Sequence, residues 1–209
     1  MKKYKLLRKE NNLWRIQAIR SFGVVKENDI GGLIASEENL SHDGKCWVFD
    51  EAQVSENARV RDNAQLRGAA KVSGSAWVVD DCCVADEAEI GGNAKVYGNA
   101  VVIENAKVLE NALVGHQAKV YGSAVIKGNA WVFDDAFVGH SATIYGDSKV
   151  CGRAWVFDDS EVYENAEVSG ESWISVGSKI HGAAIVTYPV YKREVSQREK
   201  KMEKKDETD

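Results

Sequence analysis

The chain has 209 residues with a formal net charge of −5, eighteen glycines and a single proline. No run of eighteen apolar residues occurs, so no membrane span is expected, and the opening M-K-K-Y-K-L-L-R-K-E lacks the apolar stretch of a secretion signal. Residues 48–191 hold 11 basic and 20 acidic residues, which argues against binding a phosphate backbone.

Four cysteines, at 46, 82, 83 and 151, have neither disulfide nor metal spacing, as expected of a reduced cytoplasmic protein.

Residues 3–20 read as a hairpin, K-Y-K-L-L and L-W-R-I-Q-A-I around a turn at Glu10-Asn11-Asn12, and residues 1–29 as an N-terminal cap. Residues 30–47 read as a degenerate first coil, with Ile30, Ile34, Leu40 and Cys46 on the inward columns of the repeat that follows. That repeat starts at Val48. Every sixth residue from there to Val186 is aliphatic: eighteen valines, five isoleucines and one leucine. Four residues after each, from Ala52 to Ala184, stands a small residue. Eighteen of these twenty-three are Ala, and the others are Cys82, Ser148, Ser160, Ser172 and Ser178.

A period of six is neither helical nor a plain strand alternation. It suits a short strand whose aliphatic residue points inward, followed by a tight corner into which the small residue fits. Pairs such as Gly92-Asn93, Gly98-Asn99, Glu110-Asn111 and Asp134-Asp135 supply residues that tolerate left-handed backbone at such corners. Three units close an eighteen-residue triangular coil, and stacked coils give parallel sheets around a dry core. About eight coils over residues 30–188 would make a prism roughly 38 Å long at ~4.8 Å per coil.

The passages V-Y-G-N-A-V, V-I-E-N-A-K and V-L-E-N-A-L (residues 96–113) resemble the hexapeptide-repeat family over about two thirds of the chain. The resemblance implies a left-handed parallel β-helix and a homo-oligomer, trimers being usual. It leaves function open, since the family includes acyltransferases, γ-class carbonic anhydrases and non-catalytic proteins. The segment R-I-Q-A-I-R-S-F-G-V-V-K-E-N-D-I-G-G-L-I-A-S-E-E-N-L-S (residues 15–41) resembles the leader of YdcK-like bacterial and prophage proteins, which carry a transferase label without established chemistry.

Pro189 follows the last repeat and is expected to end the ladder. The charged stretch 189–209 reads as a solvated helix or disordered tail, with Val195 and Met202 hinting at a thin helical seam.

Residues flanking each aliphatic position face outward, and every eighteenth shares a face. One face carries Trp47, Phe49, Phe137, Trp155, Phe157 and Trp173, a second carries Trp77, Trp131 and Phe133, and the third is mostly polar. Two aromatic faces exceed what a monomer comfortably exposes, so these residues are the expected contacts of a homo-oligomer or binding partner. Aromatics also suit flat β-surfaces as cross-strand ladders.

His116 and His140 lie in a duplicated passage, V-G-H-…-W-V-F-D-D, offset by twenty-four residues. Coil stacking places His116 over Asp134/Asp135 and His140 over Asp158/Asp159, the pairing that orients a general base. In hexapeptide acyltransferases a corner histidine activates the acceptor, so the resemblance offers His116 or His140 as base, with acyl-CoA as cofactor under that reading alone. Against it, the two copies fall on different corners and no excursion loop interrupts the repeats to shape a pocket. The simpler reading is solvated turn residues. Zinc bound by three histidines, the γ-carbonic anhydrase pattern, does not fit, because His116, His140 and His181 are dispersed; no metal is expected. The expected protein is thus a capped, non-catalytic β-helical scaffold or binding module. An acyltransferase and an inter-subunit site that sequesters a small ligand are the alternatives.

Overall fold

A six-residue repeat leaves room for a two-residue strand and a corner, and this is what forms. Residues 1–197 are described in the computed structural model, the side chain of Glu10 excepted. After an antiparallel hairpin, β1 (Tyr4–Glu10) and β2 (Leu13–Ala18), the chain winds through about 9 turns of an all-β, three-sheet solenoid. β3 (Ile30–Ile34) pairs antiparallel with β2 and parallel with Gln53–Val54, so the hairpin continues one wall of the solenoid. That wall, the Lys107 face, has twelve strands. The Trp155 face has nine, from Trp47–Val48 to Val190–Tyr191, and the Trp131 face has eight, from Arg59–Val60 to Ile185–Val186.

Each coil donates its backbone amides to the carbonyls of the next. Trp155 N–H reaches Ser172 O at 2.9 Å and Phe157 N–H reaches Ile174 O at 3.0 Å. The aliphatic and small columns are buried throughout, and Val and Ala suit a core too narrow for larger pairs. All twenty-three corners from Asp50 to Gly182 place the second residue after the aliphatic position at φ between +50° and +73°, and after Val176 the next residue, Gly177, is left-handed too. Ten of these are Gly, ten Asp or Glu, two are His116 and His140, and one is Val176. Glycine meets no Cβ penalty there, whereas a β-branched valine does.

The ten acidic corner residues have a common use. Each carboxylate accepts a hydrogen bond from the backbone amide of the corner residue one coil on, as Asp80 does from Gly98 (2.9 Å) and Glu110 from Gly128 (3.0 Å). An asparagine ladder runs down one edge, Asn93 to Asn111 to Asn129 to Asp147, at 2.8–3.1 Å.

Several expectations at the ends need correction. The coils number about nine, because parallel pairing starts at Leu33 and runs on through Val195. The first coil is out of phase with the rest. Ile34 faces Val54 and Leu40 faces Val60, twenty residues apart, while Trp47 faces Gln65, eighteen apart. Two extra residues in the corner 41–45 cause the slip. Ile30 therefore falls off the inward column and is 52% exposed, while Ile34 and Leu40 take the aliphatic positions.

Trp47, expected on an outward face, is buried beneath the cap. Its ring lies edge-on to Phe22 (5.4 Å) and Tyr4 (6.1 Å). The fully buried Lys3 reaches into the enlarged corner, its Nζ donating to Asp43 O and Gly44 O at 3.2 and 3.4 Å and lying 3.3 Å from Cys46 Sγ.

Pro189 does not end the ladder. Val190–Tyr191 and Glu194–Val195 add strands to two faces. Because amides donate towards the C-terminal end, a proline in the final coil forfeits no inter-coil bond. Val190–Tyr191 and Glu194–Val195 are thus strands on either side of Lys192 at φ +47°, and residues 198–209 of the expected helical or disordered tail lie outside the described residues.

Candidate functional site

The duplicated passage builds the same local structure twice. In the first copy the Tyr97 ring lies flat on Gly115, where any Cβ would collide with it. The His116 ring stands edge-on to Tyr97 (5.8 Å) and to Phe133 (6.1 Å). Its Nδ1 is 2.9 Å from Asp134 Oδ1, and Asp134 Oδ2 accepts the Gly152 amide at 3.1 Å. In the second copy Tyr121 lies on Gly139. His140 stands between Tyr121 (6.2 Å) and Phe157 (6.0 Å), and Nδ1 is 3.0 Å from Asp158 Oδ1. Asp158 Oδ2 accepts the Val176 amide at 3.1 Å.

A carboxylate at Nδ1 favours the tautomer protonated there, leaving the Nε2 lone pair directed outward. Both imidazoles are more than half exposed. The hydrogen bond from His140, followed by that from the Val176 amide, holds the Asp158 carboxyl below its usual range. Hydrogen bonds to the charged form lower a carboxyl pKa.

The structure thus brings His116 to Asp134 and His140 to Asp158, while Asp135 and Asp159 sit exposed alongside. Around His116 the surface is an open depression lined by Gln117, Asp134, Asp135, Gly152 and Arg153. The two copies stand on different edges and share no groove. Sequence reasoning found the His–Asp pairs and missed Tyr97 and Tyr121. The signal was available: each tyrosine stands eighteen residues before the glycine of its V-G-H.

The outward aromatics divide by face. Phe137, Trp155 and Trp173 stack nearly parallel, at 4.3 and 5.2 Å, and Phe157 packs edge-on to Trp173. Trp131 and Phe133 meet edge-on at 6.4 Å. Phe49 is half-buried under Arg67, whose guanidinium lies 4.4 Å from the ring centre. The third face holds a stack that composition alone did not reveal, Tyr145, Tyr163 and His181 at 4.9 Å spacing.

Charge is sorted by position. Of the 20 acidic residues in 48–191, seventeen lie at corners, where ten hold the carboxylate ladder. Ten of the 11 basic residues lie on the flat faces, Arg153 being the exception. Lysine and arginine cover aromatic rings at 4.4–5.9 Å on all three walls. The net negative charge of the coils is therefore an edge property, and each face is locally cationic.

Comparison with known proteins adds no family. No protein-family model matches this chain, and no curated protein sequence is similar to it.

All four cysteines are free. Burial pushes the Cys82 thiol up to about 12 and raises Cys46 and Cys83 as well, so these thiols are protonated and inert near neutrality. Among the described residues no three His, Cys, Asp or Glu side chains are grouped to hold a metal ion, and no helix is long and apolar enough to cross a membrane.

Proposed function

We propose that the chain is a non-catalytic, rigid scaffold or binding module that works as a homo-oligomer, its coils wound left-handed as in the hexapeptide-repeat proteins it resembles. One observation carries this reading. Large aromatics remain open on two flat walls, with Trp77, Trp131 and Trp173 exposed by 38%, 43% and 40%. Ten of the seventeen acidic side chains at the corners are spent on stacking one coil upon the next. Aromatic residues on a flat surface supply large contact area at low entropic cost, which favours a protein interface.

The test compares the wild type with Trp155→Ser and Trp131→Ser by sedimentation velocity. An assembly of several copies that either substitution dissociates supports the reading; a wild type that stays single at high concentration refutes it.

A second reading has its own observation. Each His–Asp pair leaves Nε2 facing outward, as an acyltransferase base would require. Under that reading acetyl-CoA raises the melting temperature, and His116→Ala or His140→Ala abolishes acyl transfer to an amine or hydroxyl acceptor. No thermal shift and no transfer leave the scaffold reading in place.

A further inference from the structure

The charged side chains of the Trp131 face are cationic with one exception, and they stand beside its aromatic rings. Arg59 and Arg61 lie over the Trp77 ring at 5.7 and 5.1 Å, Lys95 lies 5.7 Å from the Tyr97 ring centre, and Lys149 lies 5.4 Å from that of Trp131. Among the strand residues of this wall and those directly following them, Glu167 is the one acidic side chain. The exposed indole N–H groups of Trp77 and Trp131 have no partner among the described residues, so they too are free donors.

The edge opposite this wall, where the Trp155 and Lys107 faces meet, has the reverse character. It carries Asp50, Glu51, Asp86, Glu87, Glu104, Asp158 and Asp159, the most acidic of the three edges, with Glu51 paired to Arg15 of the cap at 2.9 Å and Asp158 to His140. Even where one oxygen of a carboxylate serves the ladder, the other stays an acceptor, as Asp86 and Glu104 illustrate. A donor wall and an acceptor ridge of equal repeat, on opposite sides of one prism, are complementary in sign and in hydrogen-bond role.

Resting on the homo-oligomer reading, we propose that copies associate by seating the acidic ridge of one on the Trp131 face of the next. Face-to-face pairing of two Trp131 walls is disfavoured, because both are cationic. The contact is heterologous, joining different surfaces of the two copies, so the symmetry is cyclic or open rather than two-fold.

The experiment is a charge swap on the full chain. Lys95→Glu with Lys149→Glu reverses the wall, and Glu87→Lys with Asp159→Lys reverses the ridge. All four side chains are exposed, and circular dichroism checks that the fold is kept. Sedimentation at low salt should show assembled wild type that dissociates as salt rises. Each variant alone should associate about tenfold more weakly or worse, and an equimolar mixture of the two should recover assemblies that contain both variants.

An assembly indifferent to both reversals overturns the assignment of surfaces and leaves the homo-oligomer reading standing. A single-copy wild type at every salt and concentration overturns both. Binding of single-stranded oligothymidylate to the wild-type wall, lost in the wall variant and without self-association, also overturns the proposal.

Discussion

Four serines replace alanine in the buried small column, and the structure assigns them opposite effects. Ser148 Oγ donates to Tyr145 O at 2.8 Å and lies 3.1 Å from Val162 O; Ser178 Oγ donates to Ser175 O at 2.6 Å and lies 3.3 Å from Val190 O. Ser160 and Ser172 are equally buried, yet their hydroxyls have no hydrogen-bond partner. Burying an unpaired hydroxyl costs roughly 1–3 kcal/mol, while a satisfied one contributes about 0.5–1.5 kcal/mol. Alanine already fills eighteen of these twenty-three positions, so it fits without strain.

Ser160→Ala and Ser172→Ala should therefore stabilise by about 1 kcal/mol each, and Ser148→Ala and Ser178→Ala should destabilise by a similar amount. For a chain of this length, about 1 kcal/mol moves the melting temperature by roughly 2–4 °C. Thermal and urea unfolding followed by tryptophan fluorescence give the ordering. If Ser160→Ala lowers stability as far as Ser148→Ala does, the reasoning from side-chain satisfaction fails.

Other outcomes follow from the corners and faces. Val176 holds φ +57° with its side chain 53% exposed, so Val176→Gly relieves left-handed strain of about 1–2 kcal/mol at little loss of burial. A modest rise in denaturation midpoint is expected, and a fall would contradict it. Gly139→Ala collides with the Tyr121 ring and should destabilise, whereas the same change in a Tyr121→Ala background should be much milder; equal losses in both backgrounds would refute the contact. Asp158 is held below its ordinary range, so its contribution is present above the unfolded carboxyl pKa and fades as pH falls through the lower folded value. In His140→Ala the Asp158 carboxyl, followed by carbon NMR, should titrate higher than in the wild type; no change would show that the imidazole does not stabilise it.

The repeat made most of the fold legible in advance. A strict six-residue phase fixes which side chain points inward, and twenty-four uninterrupted positions leave no alternative register. Prediction failed where the phase broke. The two extra residues at 41–45 moved Ile30 outward and brought Ile34 and Leu40 onto the aliphatic column, and the cap covered Trp47. No local pattern reports that a hairpin far away in sequence folds over a given tryptophan. The His–Asp pairs were legible because stacking converts a separation of eighteen residues into contact. The use of corner carboxylates as inter-coil acceptors was hidden, because Asp and Glu at turns read equally well as solvated residues. Only the φ values and the amide of the next coil reveal their role. The sorting of charge into edges and walls escaped for a related reason, since net charge averages over surfaces that the coil separates.

Sedimentation equilibrium of the full chain across a wide concentration range tests the central claim most directly. The account predicts a mass that is a whole multiple of 23.0 kDa and falls as salt rises. A mass of one chain at every concentration would contradict it.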